Sequence, residues 1–279
     1  MKIPFAKCQA AGNDFLVVEW RALEAAGVSE QDLPDLARAF CDRRTGAGAD
    51  GLEVLDPPGI ESAEADASIR IFNSDGSEAE ISGNGTRCVA ATLIADGSKA
   101  TPLRIATVAG VKELTVVERN DQRFVFDMTM GRPVFAAEDI GCRLDTALGV
   151  QTATVLNVGN PQCILFVDGF DWDWQSLGRI IESHPRFPAK TNVSFVKPLD
   201  RQTIDVRFWE RGAGETLSSG TGSTGAAVAA VLLGEAESPV RVVTPAGELM
   251  VTWQGEDVLL RGPAEIIARG EYFGFRRAG

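Results

Sequence analysis

Apolar residues along this chain recur with period two more often than with the helical period. Residues 1–20 alternate around a tight turn at Gly12-Asn13-Asp14 and predict two paired strands. The same alternation predicts strands at 52–55, 68–73, 192–196 and 204–210. Hairpins are expected over 103–130 and 155–168, and further strands from 240 onward. A helical period runs through 29–40: Leu33, Leu36 and Phe40 share a face, Ser29 stands at the N-cap, and Glu30 and Asp32 suit the positive end. Residues 174–183 predict another helix. Two more, at 88–94 and 223–233, are small and apolar all round, the mark of a helix enclosed on every side.

These elements occur twice in the same order. Ile81-Ser82-Gly83-Asn84-Gly85 and Ser218-Ser219-Gly220-Thr221-Gly222 each place a serine before Gly-x-Gly and a small-residue helix. A strand ends nine residues before each serine, at Asn73 and at Glu210. Gly12-Asn13-Asp14 is echoed by Gly159-Asn160-Pro161, again before an apolar strand. The period is far too long for a solenoid. The expected fold is α+β, with two pseudosymmetric domains. Each is a curved, mostly antiparallel sheet around a central helix, and the active site is expected in the interdomain cleft. The expected boundaries are 1–120, with 265–279 returning to the same domain, and 121–264.

Composition narrows the function. The chain has 279 residues, 44% hydrophobic, enough for two cores. Its net charge of −12 without a Lys/Arg cluster argues against nucleic acid and anionic membranes. No apolar run is long enough to span a bilayer, and residues 1–5 lead into strand-like sequence without a signal-peptide core. Five scattered cysteines, never in Cys-x-x-Cys, suit a reducing cytoplasm and offer no zinc or iron–sulfur pattern. His184 is the single histidine, which leaves little for a histidine metal site or a serine–histidine triad, and it falls at a helix end. No metal and no cofactor is expected. Gly220-Thr221-Gly222-Ser223-Thr224-Gly225 fits the dinucleotide fingerprint, but its twin has Cys88 at the third glycine and neither is flanked by a parallel βαβ unit.

A helix starting just after Gly-x-Gly presents free N–H groups and its positive end. Two such helices suit a carboxylate, and the partner expected from them is a small amino-acid substrate. Asn13, Asn73, Asn160 and Asn192 lie at turns or strand ends near these motifs, either binding a zwitterion or merely capping turns. Arg211 either binds a carboxylate or pairs with Glu210 or Glu215.

Gly12-Asn13-Asp14-Phe15, Phe72-Asn73-Ser74-Asp75-Gly76, Gly83-Asn84-Gly85-Thr86-Arg87-Cys88, Gly159-Asn160-Pro161 and Glu210-Arg211-Gly212 with Gly220-Thr221-Gly222 together resemble the diaminopimelate epimerase family, in order and over essentially the whole chain. The resemblance implies the two-domain fold, a homodimer, and epimerisation at Cα of an amino acid (LL- to meso-diaminopimelate) without cofactor or metal. One cysteine thiolate removes the α-proton and a second thiol reprotonates the opposite face. The family's catalytic cysteines fall on Ser82 and Ser219, and the histidine after Gly-Asn-Pro falls on Gln162. Substrate-binding positions that match are Asn13, Asn73, Asn160, Asn192, Glu210 and Arg211, with the helix-start amides of Gly83, Asn84, Gly220 and Thr221. Cys88 matches a family cysteine outside the catalytic pair.

A thiol ionises near 8.5 and a hydroxyl several units higher; five units correspond to roughly 7 kcal/mol against forming the base. A helix end supplies at most about 2 kcal/mol, so a hydroxyl base needs a partner. Glu210 is the natural one, ahead of Glu80 or Glu215. Three readings stay open: an isomerase working through hydroxyls or on a more acidic C–H, a silent amino-acid-binding relative, and a substrate-trapping Cys→Ser double variant of a diaminopimelate epimerase.

Overall fold

The computed structural model describes residues 2–57, 59–60, 62–253 and 255–274. The chain divides into two compact units, Met1–Met128 with Pro263–Gly279, and Thr129–Gly262. The first holds β1 (Ile3–Ala10), β2 (Asn13–Glu19), α1 (Trp20–Ala25), α2 (Leu33–Cys41), β3 (Gly51–Leu55), β4 (Ala67–Asn73), β5 (Glu78–Ala79), α3 (Gly83–Ala95), β6 (Leu103–Thr107), β7 (Gly110–Asn120) and most of β8 (Arg123–Gly131). The second holds β9 (Cys142–Thr146), β10 (Gly149–Asn157), β11 (Pro161–Phe166), α4 (Trp174–Glu182), β12 (Asn192–Asp200), β13 (Thr203–Glu210), β14 (Gly214–Thr216), α5 (Gly220–Leu232), β15 (Val240–Thr244) and β16 (Gly247–Trp253). Strand β17 (Val258–Tyr272) starts beside β16 and finishes beside β1.

The pairing pattern repeats between the units. β1–β2 is antiparallel, β2–β3 parallel, β3–β4 antiparallel and β4–β6 parallel. β10–β11, β11–β12, β12–β13 and β13–β15 follow the same sequence. Each parallel step needs a crossover, which α1 and α2 supply between β2 and β3, and α4 between β11 and β12. In the first unit β8 pairs with both β7 and β17, and β17 with β1, so eight strands form a closed ring around α3. The hairpin turns also match: Gly12 and Gly159 take left-handed φ of 78° and 98°, which glycine tolerates without steric cost.

The central strands β3 and β12 are buried on both faces, over Gly51–Leu55 and over residues 192–196. In the first unit, Leu33, Leu36 and Phe40 of α2 cover Leu16, Leu52, Val54 and Phe72. In the second, Trp174, Leu177 and Ile181 of α4 cover Cys163, Leu165, Val193 and Phe195. The opposite faces enclose α3 and α5, which are buried from Gly83 to Thr92 and from Gly220 to Ala230. Mostly small side chains line these helices, with Arg87 of α3 as a large buried exception.

The sequence pattern misplaces some boundaries. The helix expected from Ser29 begins at Leu33 after a 3₁₀ turn over Glu30–Asp32, which Ser29 and Asp32 close as a capping box. Pro34 has no N–H to donate and fits only the first turn of an α-helix, so the α-helix starts beside it. The central helices begin earlier than their apolar runs suggest, at Gly83 and Gly220. Helix α1 was not anticipated.

A Cβ added to Gly222 would stand 2.7 Å from Cδ1 of Phe208, whereas one on Gly169 meets nothing within 4 Å. Gly222→Ala is therefore expected to lower stability by about 1–3 kcal/mol, and Gly169→Ala to stay within about 0.5 kcal/mol of the parent. Urea unfolding of the two variants checks this.

Candidate functional site

Each unit carries some of the residues singled out in the sequence. In the first, Ser82 is the N-cap of α3, with extended backbone (φ −129°, ψ 116°). Its Oγ accepts from the Gly85 N–H at 3.0 Å, and its carbonyl accepts from the Thr86 hydroxyl at 2.7 Å. Ser219 caps α5 in the same way, its Oγ accepting from the Gly222 N–H at 3.1 Å. The capping bond holds each hydroxyl at the helix's positive end.

The asparagines fall into matching places. Asn13 donates to Asp50 at 2.7 Å and accepts a long bond, 3.5 Å, from Asn84 on the first turn of α3. Asn160 donates to the Thr221 hydroxyl on the first turn of α5 at 3.2 Å. Gln162, completely buried, donates to Asn160 at 2.7 Å and packs against Gly225, while its own carbonyl oxygen lacks a hydrogen bond. Asn192 donates to the Pro161 carbonyl at 3.0 Å and accepts from the Arg211 backbone N–H at 3.0 Å. The Arg211 guanidinium donates to the Ala189 carbonyl at 3.2 Å. Asn73 lies at the end of β4 and donates to Ser77 within its own turn.

Around the serines the halves diverge. Ser219 donates its hydroxyl proton to Glu210 Oε2 at 2.8 Å, and Thr216 donates to Oε1 of the same carboxylate at 2.6 Å. Glu215 instead accepts from Gln175. The strand-end position matching Glu210 is Asn73, so Ser82 has no equivalent carboxylate there.

Several groups of this site had no sequence signal. Glu53 of β3 is wholly buried, and neither carboxyl oxygen has a hydrogen-bond partner. Burial, with a lesser contribution from Cys8, raises its carboxyl well above the ordinary range. A Cβ at Gly85 would lie 1.7 Å from Glu53 Oε1 and 3.2 Å from Ser82 Cβ. Arg87 is also wholly buried, donating to Asn84 and to the Pro263 carbonyl; burial lowers its guanidinium to about 10. Burial opposes ionisation of Glu182, but bonds from Trp209, Lys190 and the Gly212 N–H outweigh it and hold its carboxyl below its ordinary value. That cluster anchors the Arg211 loop. Cys88 is completely buried, and burial raises its thiol well above its usual value, which makes it unreactive. His184 contacts the Asp145 carbonyl, away from these groups. Among the described residues no cluster of His, Cys, Asp or Glu could hold a metal ion, and no helix is long and apolar enough to cross a membrane.

The repeated sheet with an enclosed helix is a fold shared with solved structures of a racemase and an epimerase. A probable proline racemase from Agrobacterium radiobacter superposes with a TM-score of 0.74 at 18% identity, covering 96% of this chain and 92% of that one. The family model for diaminopimelate epimerase matches residues 5–136 and 154–267. Diaminopimelate epimerases from Carboxydothermus hydrogenoformans and Pelotomaculum thermopropionicum are 41% and 43% identical, each over 96% of this chain and 99% and 98% of their own length. The chain belongs to the diaminopimelate epimerase family.

Glu53 gives a pH signature. Unfolded, its carboxyl releases a proton as the pH passes about 4.3, while the folded chain still retains it. Stability therefore falls as pH rises from there until the folded group ionises. Glu53→Gln removes that fall, so its stability relative to the parent should grow with pH above about 4.3. Urea midpoints across the pH range check this; a constant offset would place a charged Glu53 in the fold.

Proposed function

We propose that this chain is a cofactor-independent epimerase that interconverts LL- and meso-diaminopimelate through hydroxyls in place of thiols. The 2.8 Å bond from Ser219 to Glu210 carries this reading. A serine alone is too weak a base, but the carboxylate can accept its proton as Ser219 Oγ removes the proton from Cα. The C–H electron pair stays on the substrate as a carbanion. Ser82 O–H delivers a proton to the opposite face of the same carbon.

The first-turn amides at Gly83, Asn84, Gly220 and Thr221 are suited to substrate carboxylates, with Asn13, Asn73, Asn160, Asn192 and Arg211 fixing the substrate's orientation. Gln162, through Asn160, supports the α5 side. The five free cysteines and the biosynthetic relatives favour a cytoplasmic enzyme. The second reading, an amino-acid-binding relative without turnover, is favoured by the absence of a Glu210-like partner at Asn73.

Deuterium wash-in at Cα in heavy water separates the two readings. Glu210→Gln is expected to slow exchange by about 10²–10⁴-fold. The Ser82→Cys, Ser219→Cys double variant should exchange faster than the parent, and adding Gln162→His should help further. A parent that binds diaminopimelate but exchanges nothing would establish the binding-only reading. Arg211→Ala should weaken binding by about 1–3 kcal/mol in calorimetry; unchanged affinity would assign Arg211 to structure.

A further inference from the structure

Glu53 has a position-for-position counterpart that explains what is unusual about it. Across the sheet Glu53 is paired with Val17 and Ile71, and Ser194 with Ile164 and Phe208. The strand ends at Asn73 and Glu210, and the turns at Asn13 and Asn160, align these two sets residue for residue. In the second unit the space beside the third helical residue, Gly222, is filled by the Phe208 ring. In the first unit Ile71 is too short to fill it, and the Glu53 carboxyl lies against Gly85 instead. An apolar side chain would fill that volume without leaving buried polar atoms unpaired, a cost of about 1–3 kcal/mol. Packing therefore does not account for a carboxyl group here.

Proton transfer does. Ser82 is the serine whose strand-end partner is an asparagine, and among the described residues no carboxylate accepts from its hydroxyl. Glu53 and Ser82 flank the same glycine, which has no side chain to separate them. We propose that Glu53 is the proton partner of Ser82, a positioning residue that acts through the serine; unlike Glu210, which already accepts from Ser219, it is not hydrogen-bonded to its serine at rest, and the pairing rests on the epimerase reading above. The two carboxyl groups start in opposite states, Glu53 neutral and Glu210 accepting. As Ser219 takes the Cα proton and passes its own to Glu210, Ser82 gives its proton to the carbanion and takes the Glu53 proton in its place. Glu210 ends protonated and Glu53 ionised, and the reverse reaction restores both. A pair of serines thus regains the acid and base roles that a thiol and a thiolate would fill.

Deuterium uptake and net inversion, measured separately from LL- and meso-diaminopimelate in heavy water, test this. Glu53→Gln is isosteric with the neutral acid and should fold. It is expected to slow inversion by about 10²-fold or more, while one stereoisomer still takes up deuterium without inverting and KM is little changed. Inversion at the parent rate, or uptake lost equally from both isomers together with a higher KM, would overturn the pairing. A second measurement needs no turnover. The protonated-carboxyl infrared band that disappears in Glu53→Gln should shift in Ser82→Ala and stay in place in Ser219→Ala. A band unmoved by Ser82→Ala overturns the pairing outright. A band that moves in a parent without any exchange supports the pairing and removes the epimerase reading alone.

Discussion

The candidate site depends on a residue that must have no side chain at the third position of each central helix. At Gly85 and Gly222 the helix backbone approaches the sheet so closely that a methyl group would meet Glu53 in one unit and Phe208 in the other. The N–H of that same glycine bonds the serine hydroxyl three residues earlier. One glycine thus sets the depth of the helix in the sheet and fixes the group at its mouth. Strand order, small-residue helices and serine position all follow from bringing a helix start to that depth.

The two units hold matching copies of this arrangement, with volume distributed differently between neighbouring strands. Phe208 beside Ser194 and Ile71 beside Glu53 fill equivalent spaces with a large and a small residue in opposite order. Close packing constrains the total volume more tightly than the identity of either residue. One copy consequently carries its carboxyl at the strand end, as Glu210, and the other beneath the helix, as Glu53.

Much of this was legible in the chain because repeats and caps are local. Ser-Gly-x-Gly before a small-residue run announces an enclosed helix start, and the matched strand ends announce the duplication. The Glu210–Ser219 contact followed from the chemical need of a weak base. Glu53 gave no signal, because a single charged residue within 52–55 looks like the exposed side of a half-buried strand. Only the pairing of β3 between β2 and β4, with α2 on one side and α3 on the other, shows that both faces are covered. Glu182 was hidden for a similar reason: its partners Trp209 and Gly212 are distant in sequence and come together only when α4 packs on β13. The start of α2 at Leu33 was set by Pro34, whose effect on the first turn outweighed the cap at Ser29.

Closure of the first unit's ring has a consequence for assembly. Its eight ring strands each have a neighbour on both sides, so an open edge is left only where a strand outruns its neighbour, as β7 does over Thr115–Asn120, which pairs with β8 alone. Away from that segment, a second copy meeting this unit must be recognised by side chains, and mutations on its surface should change solubility or association without seeding strand exchange.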